Sequence, residues 1–308
     1  MTRLVAVTGA TGFVGPHLVS ALVRRGWRVR LLVRRWSPLP SLAGIEAELV
    51  LGDLGDAYAL ERLVDGADTV LHAAALIKAR HADQFMAINR DGTARLSAAA
   101  GAARLLLLSS LAAREPQLSA YAASKRSAEE AVASRAGPWL AVRAPAVYGP
   151  GDRETLAYFR AVARGLAPRP AVAGARLSLI HVEDLAEALA LAVERAADGS
   201  IYEIDDGREG GYGYRDMHRA AAAALGRTAW SIAVPRIVMA GVARLNQLGH
   251  RLGGPVQILT PGKVHEIFHP DWVVHDRRLA GAIGFAARYD LTDGFHDTVL
   301  WYRRREWL

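Results

Sequence analysis

Short apolar runs alternate with amphipathic segments along the first 150 residues. Runs rich in Val, Leu and Ile are typical of buried strands, whereas apolar residues that recur every three or four positions are typical of helices. Strands are predicted at 4–7, 27–33, 48–51, 69–75, 104–108 and 139–143. Helices are predicted from His17 onward and at 56–64, 83–100 and 120–134. This alternation predicts an α/β fold of the Rossmann type, with a doubly wound parallel sheet.

The pattern changes after Gly151, where turns become frequent and strands scarce. Further strands are predicted only at 177–180 and 201–204. Helices are predicted at 182–193, 214–225, 235–252, 276–283 and 291–306. We therefore expect a dinucleotide-binding domain at 1–150, with strand and helix returns at about 177–205. Residues 151–308 are expected to form a smaller, mostly helical substrate-binding lobe without a sheet of its own.

Composition narrows the class of protein. Of 308 residues, 51% are hydrophobic and 22% charged, so the chain can bury a large core. No uninterrupted apolar run reaches about eighteen residues, so no transmembrane helix is predicted. The absence of cysteine excludes disulfides, thiolate zinc sites and a cysteine nucleophile. With no secretion signal and no metal site predicted, a cytoplasmic enzyme is expected.

The formal net charge of +7 raises the question of an anionic partner. The arginines occur in short, dispersed groups rather than in long basic blocks interleaved with aromatic residues. Nucleic acid is therefore not the expected partner. An anionic cofactor or substrate, or a lipid surface, explains the charge as well, and so does a simple compositional bias towards arginine.

The first fifteen residues predict a strand, a tight turn and a helix start. Gly9, Gly12 and Gly15 have the spacing G-x-x-G-x-x-G directly after an apolar run. The first glycine lets the chain turn, the second lets the backbone approach a pyrophosphate, and the third lets the helix pack on the strand. Free N–H groups at the helix start then bind phosphates. The predicted cofactor-binding turn comprises Gly9, Thr11, Gly12, Phe13, Val14 and Gly15.

The end of the second strand selects between two dinucleotides. An acid there accepts from the ribose 2′-hydroxyl of NAD, whereas an arginine pairs with the 2′-phosphate of NADP. This chain has Arg34 and Arg35 at that point and no carboxylate before Glu46. NADP is therefore the predicted cofactor, with NAD as the alternative. Asp53 and Leu54, just after the third strand, are expected near the adenine.

A tyrosine and a lysine four residues apart form the second chemical signal. Tyr121 and Lys125 share one face of a predicted helix. A neighbouring ammonium lowers the pKa of a phenol, which makes it a usable acid–base group. The chain has only three lysines, so a lysine in an arginine-rich protein indicates a need for a compact ammonium. Ser110, with Ser109 as the alternative, ends the fifth strand at the ligand-binding edge and is expected to hold a substrate oxygen.

Taken together, these segments resemble the extended short-chain dehydrogenase/reductase superfamily. That group holds sugar-nucleotide epimerases and dehydratases, 3β-hydroxysteroid dehydrogenases and dihydroflavonol reductases. The resemblance spans about 190 residues and thins after Gly199. It rests on Thr8-Gly-Ala-Thr-Gly-Phe-Val-Gly15, His72-Ala-Ala, Asn89-Arg-Asp-Gly-Thr93, Ser109-Ser110, Tyr121-Ala-Ala-Ser-Lys125, Pro145-Ala-Val-Tyr-Gly-Pro150 and His181-Val-Glu-Asp-Leu-Ala186.

The resemblance implies a role for each matching residue. Tyr121 is the implied general acid–base, Lys125 binds the nicotinamide ribose and lowers the tyrosine pKa, and Ser110 binds the substrate oxygen. The remaining implied cofactor contacts are Ala73, Ala74 and Ala75 beneath the cofactor, Ser109, and Pro145 and Val147 around the nicotinamide.

Two features depart from the family pattern. The interval between Ser110 and Tyr121 is shorter than in typical extended members, which leaves the pocket more open or displaces the serine. No acid follows Ser110, where the dehydratases carry one, so dehydration is not expected.

The predicted function is hydride transfer between a nicotinamide and a carbonyl or secondary alcohol of a small, hydrophobic substrate. A nucleotide-sugar epimerase is one alternative, since Arg176 and His181 could meet a diphosphate. A non-catalytic NADPH-binding subunit or sensor is another. The apolar segment 237–245 is expected to pack in the core, with a pocket wall or peripheral membrane contact as the alternatives. The resemblance also allows a homodimer.

Overall fold

The computed structural model describes residues 3–35, 42, 44–251 and 259–308. Its strands are β1 (Leu4–Thr8), β2 (Arg28–Val33), β3 (Glu48–Leu51), β4 (Thr69–His72), β5 (Arg104–Ser110), β6 (Trp139–Ala144), β7 (Ala146–Tyr148), β8 (Leu166–Pro170), β9 (Arg176–Leu177), β10 (Leu179–His181), β11 (Ser200–Glu203), β12 (Tyr212–Gly213), β13 (Trp230–Val234) and β14 (Asp271–Trp272). Its α-helices are α1 (Gly15–Arg24), α2 (Ala57–Val64), α3 (Asp83–Phe85), α4 (Gly92–Ala99), α5 (Ala120–Ala133), α6 (Leu156–Ala163), α7 (Val182–Arg195), α8 (Tyr214–Leu225), α9 (Arg236–Arg251), α10 (Pro261–Ile267), α11 (Arg278–Ile283) and α12 (Leu291–Arg304).

The central sheet has the strand order β11-β6-β5-β4-β1-β2-β3, and every pairing in it is parallel. The direction of strand succession reverses between β1 and β4. In open α/β sheets, ligands bind outside the carboxyl ends of the strands at such a reversal point. The predicted Rossmann-type fold is confirmed.

Helices cover both faces of this sheet. Within β1, Val5 and Val7 belong to an apolar cluster with α1, α7 and α11, while Ala6 belongs to a second cluster with α2, α4 and α5. Successive residues of a strand point to opposite faces, so a strand buried on both sides must be apolar at every position. This explains why the strands read as continuous apolar runs.

The C-terminal part packs around a third cluster formed by α6, α8 and α12, with Tyr148, Phe159 and Phe295 at its centre. The prediction that this lobe has no sheet of its own is wrong. β8 pairs with β13 in parallel, and β9 lies between β12 and β14. Strands β9, β12 and β14 have only two residues each, too few for a periodic pattern to indicate them.

Three predicted elements differ in detail. The helix predicted at 83–100 contains a π-helical segment at Met86–Asp91 between α3 and α4. The first helix begins at Gly15 rather than at His17, and the fourth strand ends at His72 rather than at residue 75. Helices α6 and α10 were not predicted, and two 3₁₀ turns, Leu111–Arg114 and Pro116–Leu118, fill the interval between β5 and α5.

Helix α9 is not a core element, contrary to the prediction for 237–245. Ile237 is 81% exposed and Leu245 69% exposed, whereas Ala243 is buried. The predicted end of this helix at residue 252 lies outside the described residues. No helix in the described ranges has both the length and the apolar character to cross a bilayer.

The glycine at the reversal point offers a stability test with a matched control. Gly9 and Gly26 have φ values of +81° and +78°, but a Cβ at Gly9 would lie 2.6 Å from the backbone of Ala73, whereas one at Gly26 would meet nothing within 4 Å. Gly26→Ala should cost about 1–2 kcal/mol of unfolding free energy, the penalty for a left-handed L-residue. Gly9→Ala should cost clearly more in urea unfolding, because a strand end must also move. Equal losses would contradict the close-approach argument.

Candidate active site

The glycine turn lies at the reversal point of the sheet. A Cβ at Gly9 would lie 2.6 Å from the carbonyl carbon of Ala73 and from the nitrogen of Ala74, so the turn touches the chain leaving β4. The N–H of Gly12 donates to the Gly9 carbonyl at 3.0 Å. A Cβ at Gly15 would overlap that same carbonyl, so this glycine lets the start of the helix lie directly against the turn.

This turn has the form that a dinucleotide pyrophosphate requires. Thr11 and Gly12 are exposed at its crest, and Phe13 and Val14 are half-buried on its flank. Helix α1 is ten residues long, and the N–H groups of its first turn have no partners within the helix. The glycines leave a space at the start of α1 that side chains would otherwise fill. This space fits the phosphates of a nicotinamide dinucleotide.

The residues predicted near the adenosine lie along the same sheet edge. Arg34 and Arg35 follow β2 directly, and both are exposed. Asp53 is exposed after β3, and its carboxylate accepts from the N–H of Gly55 at 2.7 Å, which shapes the turn. Leu54 is buried in the core beside this turn, so it offers a cofactor little surface.

A cavity of about 560 Å³ opens over the carboxyl ends of β5 and β6. Ser110, Tyr121 and Pro145 lie on its wall, so the structure brings these three predicted residues together. Val147 is half-buried in β7 and packs against the core, and Ala75 is exposed after β4. Apolar side chains form much of the remaining wall: Ile77, Phe85, Leu111, Leu177, Leu259, Ile267 and Trp272.

The two serines at the end of β5 have different surroundings. The buried hydroxyl of Ser109 donates to Glu129 Oε1 at 2.6 Å, away from the cavity. Ser110 lines the cavity, and its hydroxyl also accepts from the N–H of Ala112 at 3.2 Å. The short interval before Tyr121 therefore leaves Ser110 on the same wall as the tyrosine.

The phenol of Tyr121 is held in its neutral form. The pKa of Tyr121 is raised to about 12, mainly by burial, with a hydrogen bond to the Ser110 hydroxyl that lowers it and the Glu266 carboxylate that raises it. The ring packs edge to face on Phe85, with ring centroids 6.0 Å apart. The expected lowering of this pKa by Lys125 is not seen.

Lys125 has a different partner. Its ammonium donates to the main-chain carbonyl of Leu108 at 2.8 Å, at the end of β5. Burial lowers the pKa of Lys125 to about 8, while the Glu129 carboxylate one turn further along α5 raises it. The lysine therefore lies one helical turn after the tyrosine on α5, and the carboxylate of Glu129, a further turn along, balances its charge.

Glu129 is a buried carboxylate that sequence reasoning missed. It accepts from Ser109 and forms two hydrogen bonds with Arg143, from Nε at 2.8 Å and from Nη2 at 2.7 Å. A buried charge is tolerated only when it is paired and hydrogen-bonded. The spacing of Lys125 and Glu129, four apart on one helix, was the available signal.

Asn89 joins the cavity floor to helix α5. Its side-chain amide donates to the Leu76 carbonyl at 3.0 Å and to Ser124 Oγ at 2.9 Å, and its carbonyl oxygen accepts from the N–H of Leu76 at 2.7 Å. Asn89 lies in the π-helical segment, and such segments are frequent at functional sites. The wide turn aims this side chain at the loop after β4.

Helix α10 contributes a charged pair to the opposite wall. Glu266 accepts from the Ser119 hydroxyl and pairs with Lys263 Nζ at 2.7 Å. Ser119 also caps α5, where its hydroxyl accepts from the N–H of Ala122 at 2.9 Å. The C-terminal lobe thereby attaches to the helix that carries Tyr121.

The two residues considered for binding a diphosphate are otherwise engaged. The Arg176 guanidinium donates to the carbonyls of Gly210 and Gly211. His181 is buried, lies 3.4 Å from Asp297 and stacks on Tyr289. Neither residue lines the cavity.

Comparison with known proteins agrees with this geometry. The model of the NAD dependent epimerase/dehydratase family matches residues 5–205. A ceramide reductase of Caulobacter vibrioides is 42% identical over 307 residues, which cover 99% of this chain and 96% of the relative. A 3 beta-hydroxysteroid dehydrogenase/Delta 5-->4-isomerase of Mycobacterium tuberculosis is 30% identical over 310 residues, covering 86% of this chain and 81% of the relative. The crystal structure of gox2253 superposes with a TM-score of 0.81 at 25% identity, with full coverage of both chains.

The glycine turn, the sheet order and these relatives lead to one assignment, and they confirm the family and the enzyme class predicted from the sequence. The chain belongs to the NAD dependent epimerase/dehydratase family and is an NAD(P)-dependent oxidoreductase of the extended short-chain dehydrogenase/reductase type.

Proposed function

We propose that this enzyme reduces a carbonyl group on a long-chain lipid of the ceramide class, with Tyr121 as the proton donor. The observation that carries the proposal is the largely apolar cavity around Ser110 and Tyr121, in a chain that matches a ceramide reductase over nearly its whole length. An apolar wall suits a lipid, and a small number of polar groups at one end orients it. In this proposal residues 1–150 bind the cofactor and residues 151–308 complete the substrate pocket.

The protonation state of Tyr121 favours the reductive direction. A pKa of about 12 keeps the phenol protonated at neutral pH, so it can donate a proton to a carbonyl oxygen. In the oxidative direction the phenol would first have to lose that proton, which burial and the nearby Glu266 oppose.

The other site residues position the reacting oxygen and the cofactor. The Ser110 hydroxyl, on the same wall, holds the carbonyl oxygen beside the phenol. Gly9, Gly12 and Gly15 would hold the pyrophosphate of a nicotinamide dinucleotide, which would supply the hydride. Lys125, which donates to the Leu108 carbonyl on β5, is proposed to bind the ribose of the dinucleotide rather than to lower the pKa of the phenol. Ser109 serves this arrangement indirectly, because its hydroxyl binds Glu129 below the lysine.

NADPH is the proposed reductant. Arg34 and Arg35 are exposed at the end of β2, where a 2′-phosphate would lie, and neither is engaged in an ion pair among the described residues. A planar guanidinium binds a phosphate dianion through two hydrogen bonds. NADH remains the alternative reductant.

A steroid is the second candidate substrate, because one relative is a 3 beta-hydroxysteroid dehydrogenase/Delta 5-->4-isomerase and the wall is apolar. Arg176 and His181 were the reason to consider a nucleotide-sugar substrate. They do not line the cavity, so they do not support that alternative. A non-catalytic sensor has no use for a phenol on the wall of a cavity with a buried ammonium one helical turn away.

The substrate class can be tested directly. With NADPH, the purified enzyme should oxidise the cofactor when offered a keto analogue of ceramide dispersed in detergent. A ketosteroid, assayed in parallel by NADPH absorbance, should give much slower turnover. UDP-glucose has no ketone to reduce, so it is incubated with the enzyme and NAD and its epimerisation is followed by chromatography of the UDP-sugars. Conversion of UDP-glucose without any turnover of the keto-ceramide would overturn the proposal.

The role of Tyr121 predicts a separation of chemistry from binding. Tyr121→Phe should lower kcat by about 10²–10⁴-fold, the contribution typical of a positioned proton donor. NADPH affinity, measured by fluorescence titration, should not change. Tyr58→Phe is the matched control, because Tyr58 is exposed on α2. Near-normal turnover of Tyr121→Phe would remove the tyrosine from the mechanism.

The arginine pair predicts which dinucleotide is preferred. Replacing Arg34 and Arg35 together by Ala should weaken NADPH binding by about ten- to a hundredfold, since hydrogen bonds to charged groups contribute about 1.5–3 kcal/mol. Binding of NADH should be unaffected. Arg62→Ala, an exposed arginine on α2, controls for general loss of positive charge. A wild-type preference for NADH, unchanged in the double variant, would assign NAD instead.

A further inference from the structure

Helix α9 and strand β13 expose an unusual number of large apolar side chains. Trp230 is 82% exposed and Ile237 81% exposed. Scattered single apolar residues are normal on a surface, but a contiguous group marks an interaction site. We define the α9 apolar face as the exposed residues Trp230, Ile232, Ile237, Val238, Val242, Leu245 and Leu248.

The helical members of this face lie on one side of α9. Positions 237, 238, 242, 245 and 248 fall within one stripe of a helix of 3.6 residues per turn. The opposite side holds Ala243, which is buried, and Asn246, whose amide donates to the Leu259 carbonyl at 3.2 Å. The helix is therefore attached to the protein by one side and presents the apolar side outward.

Positive charge surrounds the α9 apolar face. From 217 to 265 the sequence contains no Asp or Glu. The same stretch contains Arg219, Arg227, Arg236, Arg244, Arg251 and Lys263. Of these, Arg236 and Arg244 are exposed on α9 itself. Arg244 lies next to the apolar stripe, and Arg236 is the first residue of the helix. An amphipathic helix that combines an apolar stripe with arginines is the pattern of helices that lie in a membrane interface.

The substrate cavity borders this face. Asn246 and Gln247, which follow Leu245 on α9, line the cavity that contains Tyr121. One helix thus forms both a wall of the pocket and the outer apolar surface. The α9 apolar face and the cavity that contains the phenol therefore meet at the same helix.

We propose that the α9 apolar face and its flanking arginines dock the enzyme on a bilayer containing anionic phospholipids, so that the cavity receives its substrate directly from the membrane. The inference takes from the proposed function only that the substrate is a membrane lipid. A second copy of the chain is a poorer occupant, because a two-fold interface would set Arg236 and Arg244 against their own equivalents with no acid in the stretch to pair them.

Vesicle flotation tests this docking without cofactor or substrate. The wild-type enzyme should float with vesicles of phosphatidylcholine and phosphatidylglycerol, should bind pure phosphatidylcholine weakly, and should be released by high salt. Replacing Arg236 and Arg244 together by Gln should weaken binding by about fivefold per arginine. Ile237→Ser with Leu245→Ser should weaken binding to both kinds of vesicle.

Control variants on helix α2 separate docking from general surface effects. Arg62→Gln and Tyr58→Ser remove an exposed charge and an exposed ring from α2, and both should float like the wild type. Wild-type protein that stays unbound to anionic vesicles would overturn the proposal. So would α9 variants that bind normally, or a wild-type dimer that the two serine substitutions dissociate.

A kinetic measurement distinguishes a failure of the docking proposal from a failure of the proposed function. Turnover of detergent-dispersed keto-ceramide should be the same in the α9 variants and the wild type, whereas turnover of the same lipid embedded in anionic vesicles should fall with vesicle binding. Loss of activity on dispersed substrate in these variants would count against docking. Vesicle binding without any keto-ceramide turnover would reject the proposed substrate and leave docking intact.

Discussion

The close approach of two chain segments at the reversal point of the sheet governs the site. Gly9, just after β1, lies against the backbone of Ala73 and Ala74, which follow β4. The two segments are so close that a Cβ at Gly9 would overlap this backbone. Because the two strand ends meet there, the glycine turn, the start of α1 and the chain leaving β4 form one surface. The cofactor turn and the cavity that holds Tyr121 thereby share the carboxyl edge of the sheet.

Burial is the main influence on the pKa values of Tyr121 and Lys125 in this site. The phenol of Tyr121 has a raised pKa and the ammonium of Lys125 a lowered one, and in each case burial is the main cause. Each group is therefore biased towards its neutral form. The carboxylate of Glu129 opposes this for the lysine, and Arg143 in turn balances that carboxylate. A reductase benefits from this arrangement, since its acid must hold a proton until the carbonyl arrives.

In the proposed function, the C-terminal part completes the pocket for a lipid substrate. Helix α10 closes the cavity and binds the start of α5 through Glu266 and Ser119, while α9 lines the cavity with its inner residues. An outer face of the same helix remains apolar and exposed. An exposed apolar face lowers the solubility of a protein. In an enzyme that acts on a membrane lipid, such a face can bind the bilayer that contains the substrate.

The sequence by itself determined the sheet, the glycine turn and the Tyr121–Lys125 pair, because period, glycine spacing and helical spacing are local properties of the chain. It also placed Ser110 at the correct edge, since strand ends of a parallel sheet share one edge. The tertiary structure alone decided which serine faces the cavity, that the pKa of Tyr121 rises, and that α9 lies outside the core. Each of these depends on what packs against a residue from distant parts of the chain, and no local pattern records that.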